Sequence, residues 1–443
     1  MSDWLSAHPE VTTIRVAACD LNGQARGKRI AARFADKALS GGARMPLSAL
    51  SIDIRGQDVA DSPLVFESGD ADGFIRPTAR GFLPMPWLAR PSALLPMWMF
   101  HDDGTPFAGD PRHALDAVLE RYRARGLAPV VATELEFYLV DDGAEELRIP
   151  FEPQSGRRRE TTDTLSLQSL DAFDGFFTEL YDACAAMDIP ADAAISEAGR
   201  GQFEINLLHG DAMKAADDAW LFKLLVKGLA RKHGCAASFM AKPYADQSGN
   251  GLHVHFSVLD AEGRNVFDDG TEAGSDALRH AIAGCLAAMR DSTLIFAPHA
   301  SSYDRLVPSA HAPTGVAWGY ENRTAAIRVP GGKPAARRIE HRVAGGDINP
   351  YLMIAAVLGA ALTGIEDATE PPAPITGNAY EQDLDQIPAT WEEAIALFAE
   401  SPRMARSFAP ELIRNMVFTK RQELREIAPM TPEARAALYL DTV

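Results

Sequence analysis

Cysteine, basic charge and long apolar runs are all scarce in this chain of 443 residues. No apolar run approaches the roughly 18 residues that would suggest a membrane helix, and the longest apolar helix we predict, Tyr351 to Leu362, is too short. The opening residues, MSDWLSAHPE, lack the apolar segment of a signal peptide. Cysteines without a CxxC spacing argue against a disulfide framework and a cysteine-ligated zinc site. There are four of them: Cys19, Cys184, Cys235 and Cys285. We therefore expect a cytoplasmic protein with no membrane partner.

The charge balance is acidic, with 43 Lys and Arg against 61 Asp and Glu and a net charge of −18. A nucleic-acid surface would need a basic balance, so no nucleic-acid partner is expected. The HExxH, GxxxxGK[ST] and GxGxxG fingerprints are also absent, and Gly331-Gly-Lys333 lacks the rest of a phosphate-binding loop. These fingerprints therefore do not predict a nucleotide.

Two regions differ in their predicted structure. The first hundred residues favour short strands, among them Thr12 to Asp20 and Leu50 to Ile54, and a turn-rich segment then ends at Asp110-Pro111, which begins a helix. Beyond it, strands alternate with helices. We predict an α+β protein, with a small N-terminal domain over residues 1–105 and a large domain over residues 106–443. The large domain is predicted to hold a mostly antiparallel sheet with helices on one face. Its predicted strands are Val130–Leu139, Gln202–Leu207, Ala237–Met240, Leu252–Leu259, Arg323–Val329 and Arg338–Arg342, and its predicted helices include Asp171–Met187, Ala212–His233 and Ser275–Leu294.

Metal-binding residue types recur on or beside the predicted strands. Residues i and i+2 of a strand share a face, so two acids there repel each other unless a cation lies between them. Carboxylates with a histidine suit Mg²⁺ or Mn²⁺ better than Zn²⁺. Each motif alone is equally consistent with solvated acids or hydrogen-bonded sheet residues. The motifs are Glu134-Leu-Glu136, Glu197 with Glu204, and His253-Val-His255.

An arginine-rich run follows, in which Arg338, Glu340 and Arg342 alternate on one face of a strand. Arginine binds carboxylate and phosphate in a bidentate manner, although a cross-strand ladder of ion pairs would have the same pattern. Divalent ions and arginines together are typical of phosphoryl transfer.

The ordered motifs as a set resemble the glutamine synthetase superfamily over nearly the whole chain. They are Glu-Leu-Glu, Gly-Gln-Phe-Glu-Ile-Asn, Gly-Leu-His-Val-His-Phe-Ser, Asn-Arg-Thr-Ala-Ala-Ile-Arg-Val-Pro and Arg-Ile-Glu-His-Arg. The resemblance implies a β-grasp-like N-terminal domain and a catalytic domain that binds ATP and glutamate. It also implies a homo-oligomer, a dodecamer of two hexameric rings with active sites between subunits. Its reaction would be ATP-dependent ligation of the glutamate γ-carboxylate to an amine, through γ-glutamyl phosphate.

The same resemblance assigns roles to individual residues. A first metal ion would be held by Glu136, Glu197 and Glu204, and a second by Glu134, His253 and Glu340. Arg323 and Arg328 would neutralise the transferred phosphoryl group. Amino-acid binding would fall to Arg305 (α-carboxylate), Arg342 (side-chain carboxylate) and Gly249 (backbone contacts), and the nucleotide would lie near His255, Ser257 and Arg338.

Two departures concern the acceptor. Family members that use ammonium have a flap glutamate where this chain has His311, and an N-terminal Phe-Asp-Gly-Ser-Ser-type segment that is missing between Met45 and Gly56. The pattern is most similar to the γ-glutamylpolyamine synthetase branch, which implies a polyamine such as putrescine or another alkylamine, with His311 as a candidate base. The alternatives are a glutamine synthetase that uses ammonium, a ligase for ethanolamine or methylamine, and a catalytically silent homologue.

Overall fold

Two β-sheets and the helices packed on them make up the computed structural model, which describes residues 3–143, 147–307 and 312–443. The strands are β1 (Thr13–Cys19), β2 (Ala25–Ala31), β3 (Ala43–Pro46), β4 (Asp72–Pro77), β5 (Leu83–Pro84), β6 (Ser92–Phe100), β7 (Ala128–Val140), β8 (Ala191–Ser196), β9 (Gln202–Asp211), β10 (Ala236–Ser238), β11 (Leu252–Leu259), β12 (Trp318–Tyr320), β13 (Ile327–Val329) and β14 (Ile339–His341). The helices are α1 (Asp3–Ala7), α2 (Ala35–Leu39), α3 (Pro63–Phe66), α4 (Pro111–Arg123), α5 (Leu167–Asp171), α6 (Asp174–Ala186), α7 (Ala212–Lys232), α8 (Asp276–Ala288), α9 (Thr293–Phe296), α10 (Ser302–Arg305), α11 (Pro350–Asp367), α12 (Trp391–Glu400), α13 (Met404–Ser407), α14 (Pro410–Ile427) and α15 (Pro432–Thr442).

The N-terminal sheet has the order β2-β1-β6-β4-β3, with β5 paired to β6. Only β1 and β6 run parallel within it. Alternation along β1 sends Ile14 and Val16 into a small N-terminal core, and Ala17 and Cys19 into the large core of the protein. The predicted domain boundary at residue 105 falls between β6 and α4 and stays a prediction.

The second sheet has the order β12-β13-β14-β11-β7-β9-β8, and β10 pairs with the last part of β7. Every pair except β12 with β13 is antiparallel. Helices α6 and α7 pack on the face that carries Phe137, which lies near Phe176 and Phe222. The predicted α+β class and mostly antiparallel sheet are therefore confirmed, and one sheet face remains for polar side chains.

Several helix boundaries follow local sequence signals. Asp110 caps α4 by accepting from Arg112 N at 2.8 Å, with Pro111 at the first helical position as predicted. Helix α11 is longer than the predicted Tyr351–Leu362 because Asn349 caps it early and it continues to Asp367. Its 18 residues have a mean hydropathy of 1.2, which meets the length and apolarity of a membrane span, but 78% of the segment is buried inside the protein. Helix α11 is therefore a core helix.

Some predicted elements are wrong in detail. Leu50 to Ile54 is not a strand, because the chain forms a 3-10 turn over Leu47–Leu50 and then bends. The predicted helix from Ser275 to Leu294 is broken into α8 and α9, and the strand predicted from Arg323 begins only at Ile327. Strand β2 was missed because its ARGKRI sequence is polar and mostly exposed, so it shows no alternation of apolar residues.

Candidate active site

The register of three central strands brings the predicted acidic and histidine motifs together. Across β7 and β11, Glu134 lies opposite His253. Across β7 and β9, Glu136 lies opposite Glu204. The neighbouring β14 places Glu340 opposite His255. Motifs as far apart in sequence as Glu134 and Glu340 thus form one patch on the face of the sheet that points away from Phe137.

Glu134 is hydrogen-bonded to both histidines. Its Oε2 lies 3.0 Å from His253 Nδ1, and its Oε1 lies 2.9 Å from His255 Nε2. His253 Nδ1 is also 3.9 Å from Glu340 Oε1. Glu134, His253 and Glu340, which are the residues predicted for the second metal, have ligand atoms that all lie within 4.8 Å of one another.

A second set of ligand atoms within the same distance consists of Glu136, Glu204 and His253. It contains two of the three residues predicted for the first metal, while Glu197 is not part of it. Glu136 Oε2 accepts from Gly251 N at 2.8 Å, which fixes that carboxylate beside His253. Glu197 follows β8 and is close enough for its charge to be repelled by Glu136.

Repulsion among these buried carboxylates is strong. Burial and the negative charges of Glu134, Glu136 and Glu197 raise the pKa of Glu204 to about 9. Burial and Glu136 raise the pKa of Glu197 to about 7. Burial also acts on Glu134, but the hydrogen bonds with the two histidines outweigh it and keep the pKa of Glu134 well below its usual value. A divalent cation would let all these groups stay charged, and a donor set of carboxylates with one imidazole fits Mg²⁺ or Mn²⁺.

Two arginines converge on Glu340, which is almost fully buried. Arg328 Nη1 donates to Glu340 Oε2 at 2.8 Å, and Arg342 Nη1 donates to Glu340 Oε1. Burial raises the pKa of Glu340, but Arg342 and both histidines reverse that effect and leave the pKa lowered. Arg323, which the sequence placed with Arg328, lies in the turn before β13 and is near enough to Glu197 to lower its pKa. Guanidinium groups therefore border the acidic patch at Glu340 and at Glu197.

Arg305 is buried against the glycines that precede β11. A Cβ built on Gly249 would lie 2.4 Å from Ala241 O and 2.9 Å from Arg305 Cγ, so no larger residue fits there. A Cβ built on Gly251 would lie 3.0 Å from both Arg305 Nη2 and His253 Nε2. The predicted substrate residues Arg305 and Gly249 are thus next to the metal ligands.

A cavity of about 500 Å³ lies beside the patch and is lined by residues of β7, β9 and β11. Glu134 and the three residues predicted for the nucleotide, His255, Ser257 and Arg338, all line it. Arg338 Nε donates to His255 Nδ1 at 3.3 Å, so that histidine links the cavity to Glu134. The cavity is large enough for a nucleotide, and Glu134 belongs both to its lining and to the acidic patch.

Gln202 belongs to the site, although the sequence did not single it out as a site residue. Its Nε2 lies 3.3 Å from Glu136 Oε2 and 3.0 Å from Gly249 O, so it joins a candidate metal ligand to a candidate substrate contact. The available signal was its position two residues before Glu204 on the same face of β9. His311, the candidate base, lies outside the described residues.

Comparison with known proteins gives consistent matches. Residues 108–438 match the family model described as the catalytic domain of glutamine synthetase. The chain is 35% identical to gamma-glutamylputrescine synthetase of Escherichia coli K12 over 97% of this chain and 92% of that protein. It is 34% identical to gamma-glutamylethanolamide synthetase of Streptomyces coelicolor over 93% and 89%. A solved structure of a GmaS complex with ADP superposes with a TM-score of 0.85 at 26% identity and covers all of both chains.

Proposed function

Because the chain belongs to the glutamine synthetase family, we propose that it uses ATP to join the γ-carboxylate of glutamate to an alkylamine. The predicted family, the glutamine synthetase fold and the class of enzyme, an ATP-dependent ligase, are confirmed by the matches. The observation that carries the proposal is the convergence of four glutamates, His253 and three arginines beside a nucleotide-sized cavity. These residues are Glu134, Glu136, Glu204, Glu340, His253, Arg305, Arg328 and Arg342.

The proposed reaction has two displacements. A γ-carboxylate oxygen of glutamate attacks the γ-phosphorus of ATP, and the bond to ADP breaks. The amine nitrogen then attacks the acyl carbon of γ-glutamyl phosphate, inorganic phosphate leaves, and the nitrogen gives up a proton. His311 is our candidate to take that proton.

Charge and position supply the catalysis in this scheme. Mg²⁺ or Mn²⁺ held by the two carboxylate–histidine sets would offset the charge of the phosphates. Arg305 would bind the α-carboxylate, Arg342 would orient the γ-carboxylate, and Arg323 and Arg328 would neutralise the phosphoryl group as it transfers. In the structure Arg342 donates a hydrogen bond to Glu340. Binding of a cation by Glu340 and of glutamate by Arg342 would therefore have to change this hydrogen bond.

The acceptor is proposed to carry a carbon tail. In sequence, His311 stands where ammonium-using relatives have a glutamate, and two relatives are named for putrescine and ethanolamide products. We would measure glutamate-dependent ADP release with putrescine, ethanolamine, methylamine and ammonium. An alkylamine should give the highest kcat/KM, whereas ammonium turnover equal to that of the best amine would refute the proposal.

We further propose that the chain assembles as a dodecamer of two hexameric rings with active sites between subunits. Two aromatic side chains of the N-terminal region, Phe34 and Phe66, are 52% and 70% exposed, as expected of residues that a neighbouring subunit covers. Light scattering on the purified protein should give the mass of twelve subunits, and a monomer would contradict the proposed assembly.

A further inference from the structure

Ser302 and Asp347 form a buried hydrogen-bonded pair behind the candidate substrate arginine. Ser302 Oγ donates to Asp347 Oδ2 at 2.6 Å and accepts from His299 N at 3.0 Å. Each side chain is only 1% exposed. A charge-assisted bond in so buried a place is stronger than an ordinary surface hydrogen bond.

This pair anchors the short helix that carries Arg305. Ser302 is the first residue of α10 and Arg305 is the last. At the far end, Arg305 Nη1 donates to Val343 O at 2.7 Å. Both ends of α10 are therefore tied to the segment from Val343 to Asp347.

The segment to which α10 is tied is itself held by the surrounding core. Lys223 Nζ donates to Gly346 O at 2.9 Å and to Ile348 O at 3.2 Å. Gly346 N donates to Asn250 O at 2.9 Å, and Asn250 lies between the two glycines that face Arg305. Motion of this segment relative to the acidic patch is therefore restricted.

Asp347 supports Arg305 without binding it directly. Asp347 Oδ1 is buried and has no hydrogen-bond partner in the described residues. Burial raises the pKa of Asp347, while Ser302, Lys223 and Arg305 act to lower it. A direct ion pair with Asp347 would occupy the guanidinium of Arg305. Here Arg305 Nη2 lies toward Gly251 and the metal ligands instead, where the carboxylate of a substrate can bind it.

We propose that the hydrogen bond between Ser302 and Asp347 is a positioning device that fixes Arg305 for the α-carboxylate of the substrate. The inference rests on the proposed function, since it takes glutamate to be the ligand of Arg305. Neither Ser302 nor Asp347 touches the substrate in this account. Their effect reaches the reaction only through the placement of Arg305.

Steady-state kinetics of three variants test this inference. Ser302→Ala removes the donor, and Asp347→Asn keeps an acceptor at the same place. Ser301→Ala is the matched control, because the neighbouring hydroxyl is also buried but makes no capping bond to α10. Ser302→Ala should raise the KM for glutamate about tenfold and leave the KM for ATP and the KM for amine nearly unchanged. Its melting temperature should fall modestly, because the buried Asp347 loses its hydrogen bond. Ser301→Ala should stay within about threefold of wild type, and the effect of Asp347→Asn should lie between those of the other two variants, because asparagine keeps an acceptor but loses the charge that strengthens the bond.

Other outcomes overturn the inference. An unchanged glutamate KM in Ser302→Ala would do so, as would a joint rise of all three KM values with a lower melting temperature, which indicates general loss of structure. A larger effect of Asp347→Asn than of Ser302→Ala would show that charge rather than the hydrogen bond matters. If Ser302→Ala does not fold, Ser302→Cys provides the same test with a weaker donor. Wild type without glutamate-dependent ADP release would refute the proposed function itself, and this inference with it.

Discussion

Glu204→Gln is expected to stabilise the metal-free protein while it abolishes activity. Glu204 is 6% exposed, and burial together with three neighbouring glutamates raises its pKa from 4.5 to about 9. Below its unfolded pKa this carboxyl group is protonated in both states, so its ionisation costs the folded state nothing. As the pH rises from the unfolded pKa through the folded pKa, the unfolded state ionises first and the folded state loses stability relative to it.

The magnitude follows from the size of the pKa shift. Between pH 4.5 and 9, each pH unit weakens the folded state by about 1.4 kcal/mol. At pH 7 the penalty from Glu204 is therefore about 3 kcal/mol, and glutamine, which does not ionise, avoids it. A bound divalent cation should reverse the order, because it stabilises the charged carboxylate of wild type only.

Urea unfolding at pH 5 and pH 8 provides the assay, on protein treated with a chelator and again with Mg²⁺. The free energy of unfolding of Glu204→Gln should exceed that of wild type at pH 8, and the difference should nearly vanish at pH 5. Glu10→Gln, a change at an exposed glutamate, serves as the control and should show no such dependence. A metal-free Glu204→Gln no more stable than wild type at pH 8 would refute the electrostatic argument.

Three further changes should separate the parts of the site. Glu340→Ala should abolish glutamate-dependent ADP release, because it removes a candidate metal ligand and leaves two buried guanidiniums without their carboxylate; surviving activity would count against the metal assignment. Arg338→Ala should raise the KM for ATP about tenfold and change the glutamate KM much less, since Arg338 lines the cavity and reaches the acidic patch only through His255; equal effects on both would contradict the cavity's role. Gly249→Ala should lower the melting temperature and the activity together, because its Cβ would meet Ala241 O at 2.4 Å; a stable, active variant would show that this backbone moves freely.

Local patterns were sufficient to predict the parts of the site that lie on long strands. Glu134 with Glu136, and His253 with His255, alternate along β7 and β11, so that each pair had to share a face whichever strands became neighbours. Glu204 followed from the same rule on β9. Alternation along single strands could not predict which candidate metal ligands share one ion, because that depends on which residues of neighbouring strands lie opposite each other. Glu197, beyond the end of β8, is consequently not in the cluster predicted for it.

Interactions between distant segments were the least predictable. Ser302 and Asp347 are ordinary polar residues in sequence, and only the folded chain brings them within 2.6 Å. Strand β12 is three residues long and pairs in parallel with β13, which leaves no periodic signal in so short a run. Leu50 to Ile54 had the composition of a strand, but the chain forms a 3-10 turn that ends at Leu50 and then bends.

The apolar face of the central sheet fixes the strand register that places the glutamates on the opposite face. Phe137 lies opposite Phe203 across β7 and β9, and the next pair of residues on the other face is Glu136 opposite Glu204. The charge penalty at Glu204 is about 3 kcal/mol at pH 7 without a cation, and burying each phenylalanine contributes about 1.5–3 kcal/mol. A slip of β9 by one residue would turn Phe203 out of the core and carry the Glu204 carboxylate into it. Both changes are unfavourable, so the present register holds the carboxylates in place. We therefore expect Phe203→Ala to disturb the metal site through the strand register, even though the ring lies on the opposite face.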